Sequence, residues 1–464
     1  MKQKNGIHFE ISERKVLLGL LDILMAFLGI YILSIYTDFE YLSISVENTV
    51  PLVVLAIYIT LFGTVFEIYD LQKASKLDVS FKNIVLCIST VVLFYLLTPV
   101  ITPFLPEARL QIVYFYVALI VFIFLWRVLY NTLIATPRFY KHILLVGELS
   151  NIDNVVNTLT SADSNYRFIG FINSERDNDD TIKYKGLKEF RTKHLSNVIV
   201  DEQISEIIVA ANNAENITPD LYHELMLLLE RGFKIREYTQ VYEEVTKKVP
   251  IQYVGKDFYK YFPYSRNNEN QLYRFFHRTF DIIFSIFGLL FMVAIIPFLL
   301  IGNALGNKGP LFYTQERIGR NSSLFTILKF RTMVVNAEAQ KAQWAKKDDV
   351  RVTTFGKFLR RSRLDEVPQF INILKGQMSI IGPRPERPFF VAELSRSIPF
   401  YETRHIVKPG ITGWAQVNSR YGGSVEESLT KLQYDLYYIK HYNPFLCLNI
   451  ILKTLSTVLY YRGQ

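Results

Sequence analysis

A chain of 464 residues has room for two or three domains, and this one is 50% hydrophobic and 14% aromatic. That apolar content is high for a wholly soluble protein, so the net charge of +9 is assigned to the water-facing parts of a membrane protein, and no nucleic-acid partner is expected. Cys87 and Cys447 lie in apolar surroundings and offer no disulfide or metal framework, while seven scattered histidines offer no zinc site.

No short signal peptide with a small-residue cleavage site is read at the start. Four apolar segments fill the first third: residues 16–36, 50–66, 84–101 and 112–130. Each is close to the ~20 residues that cross a bilayer, which predicts a four-helix transmembrane domain over 1–138. Arg127, near the end of the fourth, is expected to snorkel to the interface. Lys2, Lys4, Arg14 and Lys15 precede the first segment, and Lys73, Lys76 and Lys82 occupy the second loop. The first loop carries only the acids Asp38, Glu40 and Glu47, and Arg138 and Lys141 follow the fourth segment. By the positive-inside rule the start of the chain and everything after the fourth segment face the cytoplasm.

Residues 139–265 predict a soluble α/β domain. Short β-rich runs at 142–146, 168–172, 206–210 and 233–238 alternate with helical periods such as 221–230, the pattern of a mostly parallel, Rossmann-like sheet. The first run ends at Gly147, but Gly147-Glu148-Leu149-Ser150 lacks the further glycines of a dinucleotide fingerprint. A structural or dimerising role is expected there.

A fifth apolar stretch, 282–301, is long enough to span, yet Arg274 and Arg278 precede it and Lys308 follows it. Both ends therefore look cytoplasmic. Pro297 removes a backbone bond and bends a helix, so a re-entrant helix over about 280–301, broken at Pro297, is expected.

Residues 270–464 carry the chemistry. Between Arg317 and Arg387, 15 Lys or Arg stand against 6 Asp or Glu, an excess that suits an anionic substrate beside an anionic lipid surface. Lys329 and Arg331 lie two apart at the end of the apolar run 324–328; on a strand they would share a face and clamp a diphosphate. The run Arg360-Arg361-Ser362-Arg363-Leu364-Asp365-Glu366-Val367-Pro368-Gln369 sets two carboxylates among three arginines. Acids against so much positive charge should stay ionised, as a nucleophile or metal ligand must. Pro368 places the pair at a helix start, where phosphate is attracted. Gly382-Pro383-Arg384-Pro385-Glu386 is a rigid loop presenting one arginine. Lys408-Pro409-Gly410-Ile411-Thr412-Gly413-Trp414 is a second glycine-marked loop, in which Trp414 reads either as part of the site or as an interfacial anchor.

In this order the motifs Tyr313-Thr314-Gln315-Glu316-Arg317-Ile318-Gly319, Lys329-Phe330-Arg331-Thr332-Met333, Phe355-Gly356-Lys357-Phe358-Leu359-Arg360, Asp365-Glu366-Val367-Pro368-Gln369, Gly382-Pro383-Arg384-Pro385-Glu386 and Pro409-Gly410-Ile411-Thr412-Gly413-Trp414-Ala415-Gln416-Val417 resemble the bacterial sugar transferase family. These are the monotopic phosphoglycosyl transferases. The four apolar segments and the middle domain resemble its large branch, the polyprenyl-phosphate hexose-1-phosphate transferases. The resemblance implies transfer of a sugar 1-phosphate from a UDP-sugar to undecaprenyl phosphate with release of UMP. That step starts O-antigen, capsule or exopolysaccharide synthesis at the bacterial inner membrane.

On that likeness Asp365 matches the nucleophile that forms a covalent phosphosugar intermediate, and Glu366 its partner in proton handling or in a magnesium site. Arg360 and Arg384 match phosphate-binding arginines, joined by Lys329 and Arg331. Mg2+ is the implied cofactor, with Asp365 and Glu366 as its carboxylates. A re-entrant helix is also implied; the family often has Ser-Pro at the break where this chain has Ile296-Pro297. The sugar stays open among glucose, galactose and their N-acetylated relatives, with glucose favoured, and a homodimer is expected.

Three other readings compete. A conventional glycosyltransferase would release UDP, but a spaced Asp-x-Asp motif is missing near the basic clusters. A transporter or assembly scaffold would not need Asp365, Glu366 and Arg384. An oxidoreductase built on the middle domain lacks its glycines.

Overall fold

The computed structural model describes residues 11–37, 39–133, 140–163, 165–174, 183–184, 186–210, 217–251, 271–335, 337, 349–419 and 424–459. Lys2, Lys4, Asp38 and Arg138 from the charge argument, and the expected domain limits at 138–139 and 265–270, lie outside them. The chain forms two compact units, Met1–Tyr238 and Thr239–Gln464.

In the first unit the apolar segments are the helices Ile11–Tyr36, Thr49–Val65, Leu77–Leu97 and Leu110–Leu133. Three are long and apolar enough to cross a membrane, while Thr49–Val65, at 17 residues, is at the lower limit. The third begins seven residues earlier than hydropathy predicts, because Asp78 and Lys82 are helical although they are not apolar. It stops at Leu97, where Pro99 forces Thr98 out of helical geometry (φ −118°, ψ 51°). Arg127 does not snorkel. Its Nη2 meets Asp22 Oδ2 at 2.7 Å with both side chains fully buried, because a facing carboxylate on the first helix offers a stronger partner than the interface.

The rest of this unit is a six-stranded sheet of order β3-β4-β2-β1-β5-β6. It comprises β1 (Lys141–Gly147), β2 (Tyr166–Asn173), β3 (Lys183–Tyr184), β4 (Leu187–Glu189), β5 (Glu206–Ala210) and β6 (Ile235–Glu237). All neighbours pair parallel except β3 with β4. β3, at the edge, and β4 beside it are too short to stand out as β-rich runs and went unpredicted. Leu144, Val146, Ile172, Ile207, Leu221 and Leu225 form the core between sheet and helices.

The second unit starts before the expected boundary. Val249 and Ile251 pack with Phe390, Val391, Leu432 and Leu436, so the segment that seemed to close the middle domain has its core here. Its sheets are small. β7 (Phe312–Ile318) and β8 (Leu324–Phe330) form an antiparallel hairpin, and β9 (Ser379–Ile381) pairs parallel with β10 (Gly410–Thr412). Short helices and two longer ones, Val425–Lys440 and Pro444–Leu459, surround them.

The helix Gln271–Gly306 underlies the hairpin and the helices near it. It is one continuous element with Pro297 inside, so the expected interruption there is not a gap in the helix. Its inner face holds Asp281, Ser285, Met292, Leu299 and Asn303, all buried. Phe275, Phe276, Phe287, Leu290, Val293, Phe298 and Leu305 project outward and are more than 60% exposed.

Candidate active site

The acidic pair sits in a 3-10 turn, Leu364–Glu366, one turn ahead of the helix Gln369–Leu374, with Pro368 at the helix N-cap. Its placement follows from the apolar residues on either side. Leu364 and Val367 pack into the cluster of Met292, Leu299, Phe330 and Leu359, which anchors the turn to the long helix. Arg363 enters the turn in a left-handed conformation (φ 58°), a strained choice for a side chain of this size. Asn372 fixes the following helix to β8: its Oδ1 accepts from Leu328 N at 3.0 Å and its Nδ2 donates to Thr326 O at 2.7 Å. Glu366 is thereby held opposite Lys329, on the same strand.

Both carboxylates are buried, yet their surroundings differ. Glu366 Oε1 accepts from Lys329 Nζ at 3.3 Å and from Arg384 Nη2 at 3.1 Å, and Arg363 Nη1 lies 3.8 Å from Oε2. Burial opposes its charge, but Lys329, Arg384 and Arg363 outweigh burial and hold it well below the ordinary glutamate range. No described residue donates a hydrogen bond to Asp365. Burial, with the charge of Glu366, pushes its carboxyl up to about 6, against the fields of Lys329, Arg360 and Arg363. Both acids are therefore still mostly ionised at pH 7, as expected, but by different means: Glu366 takes the direct ion pairs, and Asp365 keeps its charge with a carboxyl raised toward neutral pH.

Burial likewise lowers Lys329, with Glu366 opposing. Lys329, Arg384 and Glu366 line one small pocket together with Arg317, Gln369, Pro385, Gly410 and Ile411. Arg360 is the last-turn residue of the helix Thr354–Arg361 and donates from Nε to Thr332 Oγ1 at 3.0 Å. Thr353 caps that helix by accepting from Gly356 N at 2.9 Å.

Arg331 is not brought to the pair. β8 ends at Phe330, and the period-two argument that matched Arg331 with Lys329 ends with it. The guanidinium turns to the end of the long helix, where Nε donates to Pro310 O at 2.6 Å and Nη2 donates to Asn307 O. Carbonyls left unpaired at a helix C-terminus attract a cation strongly. Pro297 lies in the long helix and not among the pocket residues. Trp414 is an internal residue, 5% exposed, with Nε1 donating to Lys247 O at 3.1 Å, so it is no interfacial anchor.

Sequence reasoning named neither Arg317 nor Gln369 as site residues, although both stand in motifs quoted above. Arg363 was visible only as one of three arginines near the pair. Among the described residues no group of three or more His, Cys, Asp or Glu side chains could hold a metal. Asp365 and Glu366 supply two hard carboxylates, and Asp365 is the less encumbered. That set suits Mg2+, which keeps waters and substrate phosphates in its shell.

The model of the family described as "Bacterial sugar transferase" matches residues 272–461. A UDP-N-acetylgalactosamine-undecaprenyl-phosphate N-acetylgalactosaminephosphotransferase of Aeromonas hydrophila is 39% identical over 228 residues, 47% of this chain and 51% of that protein. A UDP-glucose:undecaprenyl-phosphate glucose-1-phosphate transferase of Xanthomonas campestris pv. campestris is 41% identical over 182 residues, 39% of this chain and 38% of that one. The chain thus spans about half or less of the length of these two relatives. It covers 71% of a putative undecaprenyl-phosphate N-acetylgalactosaminyl 1-phosphate transferase of Bacillus subtilis (strain 168), at 46% identity over 127 residues that make up 27% of this chain.

Proposed function

The chain belongs to the bacterial sugar transferase family, and from that premise we propose that it moves a hexose 1-phosphate from a UDP-sugar to undecaprenyl phosphate, releasing UMP. One observation carries this reading. Of two adjacent buried carboxylates, Glu366 is bound by Lys329 and Arg384 and Asp365 is not. The bound one fixes the cations where a diphosphate needs them, and the other keeps its oxygens for reaction.

In the proposed mechanism an Asp365 oxygen attacks the phosphorus that bears the sugar. The bond from that phosphorus to the bridging oxygen breaks, and UMP leaves with the bond's electrons. An oxygen of undecaprenyl phosphate then attacks the aspartyl phosphosugar, releasing Asp365 as a carboxylate and giving the lipid diphosphate sugar. Lys329, Arg360 and Arg384 stabilise the phosphate charge throughout. When bound at Asp365 and Glu366, Mg2+ supplies further neutralisation of the diphosphate.

The setting follows from the long helix. Near its start Arg278 donates to Ile373 O at 2.6 Å and Leu374 O at 2.7 Å. Near its end Asn303 Nδ2 donates to Gly309 O at 2.9 Å, and Gly302 abuts Phe355. Both ends therefore dock on the same unit, which supports a helix that enters one leaflet and returns, bent at Pro297, rather than a crossing. The soluble parts then face the cytoplasm at the bacterial inner membrane. The parallel sheet of the first unit is read as a Rossmann-like domain that joins two copies as a homodimer.

The deciding experiment measures nucleotide release by purified protein with Mg2+, undecaprenyl phosphate and a panel of UDP-sugars. UMP with one sugar, absent in Asp365→Asn, is the expected result. UDP release would establish ordinary glycosyl transfer in its place, and release of neither would leave a scaffold.

A further inference from the structure

The loop that presents Arg384 belongs to no helix or strand beyond Ile381, yet its carbonyls from Pro383 to Glu386 are all paired. Gly382 N donates to Thr412 O at 2.8 Å, and Pro383 O accepts from Gly410 N at 2.9 Å. Arg384 O accepts from Arg404 Nη2 at 3.1 Å, Pro385 O from Arg317 Nη1 at 3.1 Å, and Glu386 O from Ile318 N at 2.9 Å. Four successive carbonyls thus have protein donors in a segment of a kind that ordinarily gives them to water.

Two of those donors are side chains, and Arg404 is the more fully built in. Its side chain is 4% exposed, and Nη2 lies 2.7 Å from Oδ2 of Asp435, itself 1% exposed. Nη1 donates to Tyr401 Oη at 2.7 Å, and Glu386 Oε1 lies 3.9 Å away. Burying such a pair is a poor source of stability, since an apolar pair of similar volume often does as well. What an arginine adds is its planar fork, which can hold a carboxylate and a backbone carbonyl at once in one geometry.

We propose that Arg404, oriented by Asp435 and Tyr401, is a positioning residue that holds the Arg384 carbonyl and so sets the Arg384 side chain over Glu366. Arg404 does not touch the substrate; it acts through Arg384. The inference deepens the transfer reading and rests on it.

The test is a double-mutant cycle on the full chain, reading UMP release from wild type, Arg384→Ala, Arg404→Lys and the double variant. Lysine keeps the charge beside Asp435 but cannot also reach the carbonyl in the same plane. Arg404→Lys alone should raise KM for the UDP-sugar about tenfold with a smaller change in kcat, as a displaced binding group does. In the Arg384→Ala background it should add nothing. Losses that multiply would overturn the proposal, because Arg404 would then act independently of Arg384.

Should Arg404→Lys fail to fold, Tyr401→Phe gives the second cycle. It removes the Nη1 acceptor and keeps every charge, with the same non-additivity expected and the same multiplication fatal. If wild type releases no UMP, the transfer reading fails separately. The cycle is then read on binding of inorganic pyrophosphate, where additive losses would still refute the positioning role.

Discussion

The two units bury different things. Around β1 and β5 the first packs Leu144, Val146, Ile172 and Ile207, and one of its buried acids, Glu206, sits at the start of β5, paired with Arg236. The second unit buries Asp281, Arg331, Asp365, Glu366, Arg404 and Asp435 among its short helices and two-stranded sheets. The first unit buries charges too, but chiefly as the pair Arg127–Asp22 between its helices and as residues at strand ends, and the middle of its sheet is apolar, which is why the sheet says so little about chemistry. Every buried charge carries a desolvation cost, and what distinguishes the second unit is that Lys329, Glu366 and Arg384 meet around one pocket, which marks it as the candidate site.

The sharpest way to break this contrast is Asp365→Asn. Activity should fall by at least about a thousandfold if a nucleophile is lost, read as UMP release. The folded carboxyl lies near 6, above its ordinary 3.8. The native state therefore binds more protons than the unfolded state between those values, and stability falls as pH rises through that window. The penalty is complete above pH 6, so the asparagine variant should be more stable at pH 7 by about 1–3 kcal/mol. A thermal melt in which the variant is less stable would show that Asp365 is structural. In wild type, kcat/KM should decline as pH drops below about 6 while Asp365 protonates.

Two deletions compare the kinds of core directly. Asp435→Ala leaves Arg404 buried beside a missing partner and should cost about 3–5 kcal/mol. Leu144→Ala, fully buried in the sheet, should cost about 2–5 kcal/mol through its cavity. The difference should appear in kinetics. Asp435→Ala should lower kcat/KM of the folded protein, and Leu144→Ala should leave it unchanged, measured after correction for the folded fraction. An equal kinetic loss from both would erase the distinction between the units. Gly356→Ala comes next, because a Cβ there would stand 2.0 Å from Thr332 O. The helix carrying Arg360 must shift, and a cost of about 1–3 kcal/mol is expected in a denaturation midpoint.

The same contrast explains what could be read from the chain. Long apolar runs revealed the helices because hydropathy is summed over ~20 residues, and polar first-turn residues such as Asp78 shifted only the ends. Short β-rich runs revealed β1, β2, β5 and β6, whereas the two-residue β3 is too short to form such a run. Lys329, Glu366 and Arg384 converge as their charges suggested. Arg331 misled because a rule about strand faces was carried one residue past the ladder. Arg404 gave no signal at all, since its role depends on a helix that returns Asp435 from 31 positions further along the chain. Local chemistry is legible in a motif; a partner supplied by tertiary packing is not.

The smallest effect tests how far that packing reaches. Ser424 and Glu427 form a capping box on the helix Val425–Lys440: Ser424 Oγ accepts from Glu427 N at 3.1 Å, and Glu427 Oε2 accepts from Ser424 N at 3.1 Å. Ser424→Ala removes one half of it and should cost about 1 kcal/mol in a chemical denaturation curve. Asp435 lies three turns into the same helix, beyond Leu432, which is fully buried against Val249, Ile251 and Phe390. Fraying at the cap should stop at that contact, so KM for the UDP-sugar should not move. A raised KM would mean that the helix loosens as one body, and that the grip of Asp435 on Arg404, and through it on Arg384, depends on a hydrogen bond at the surface.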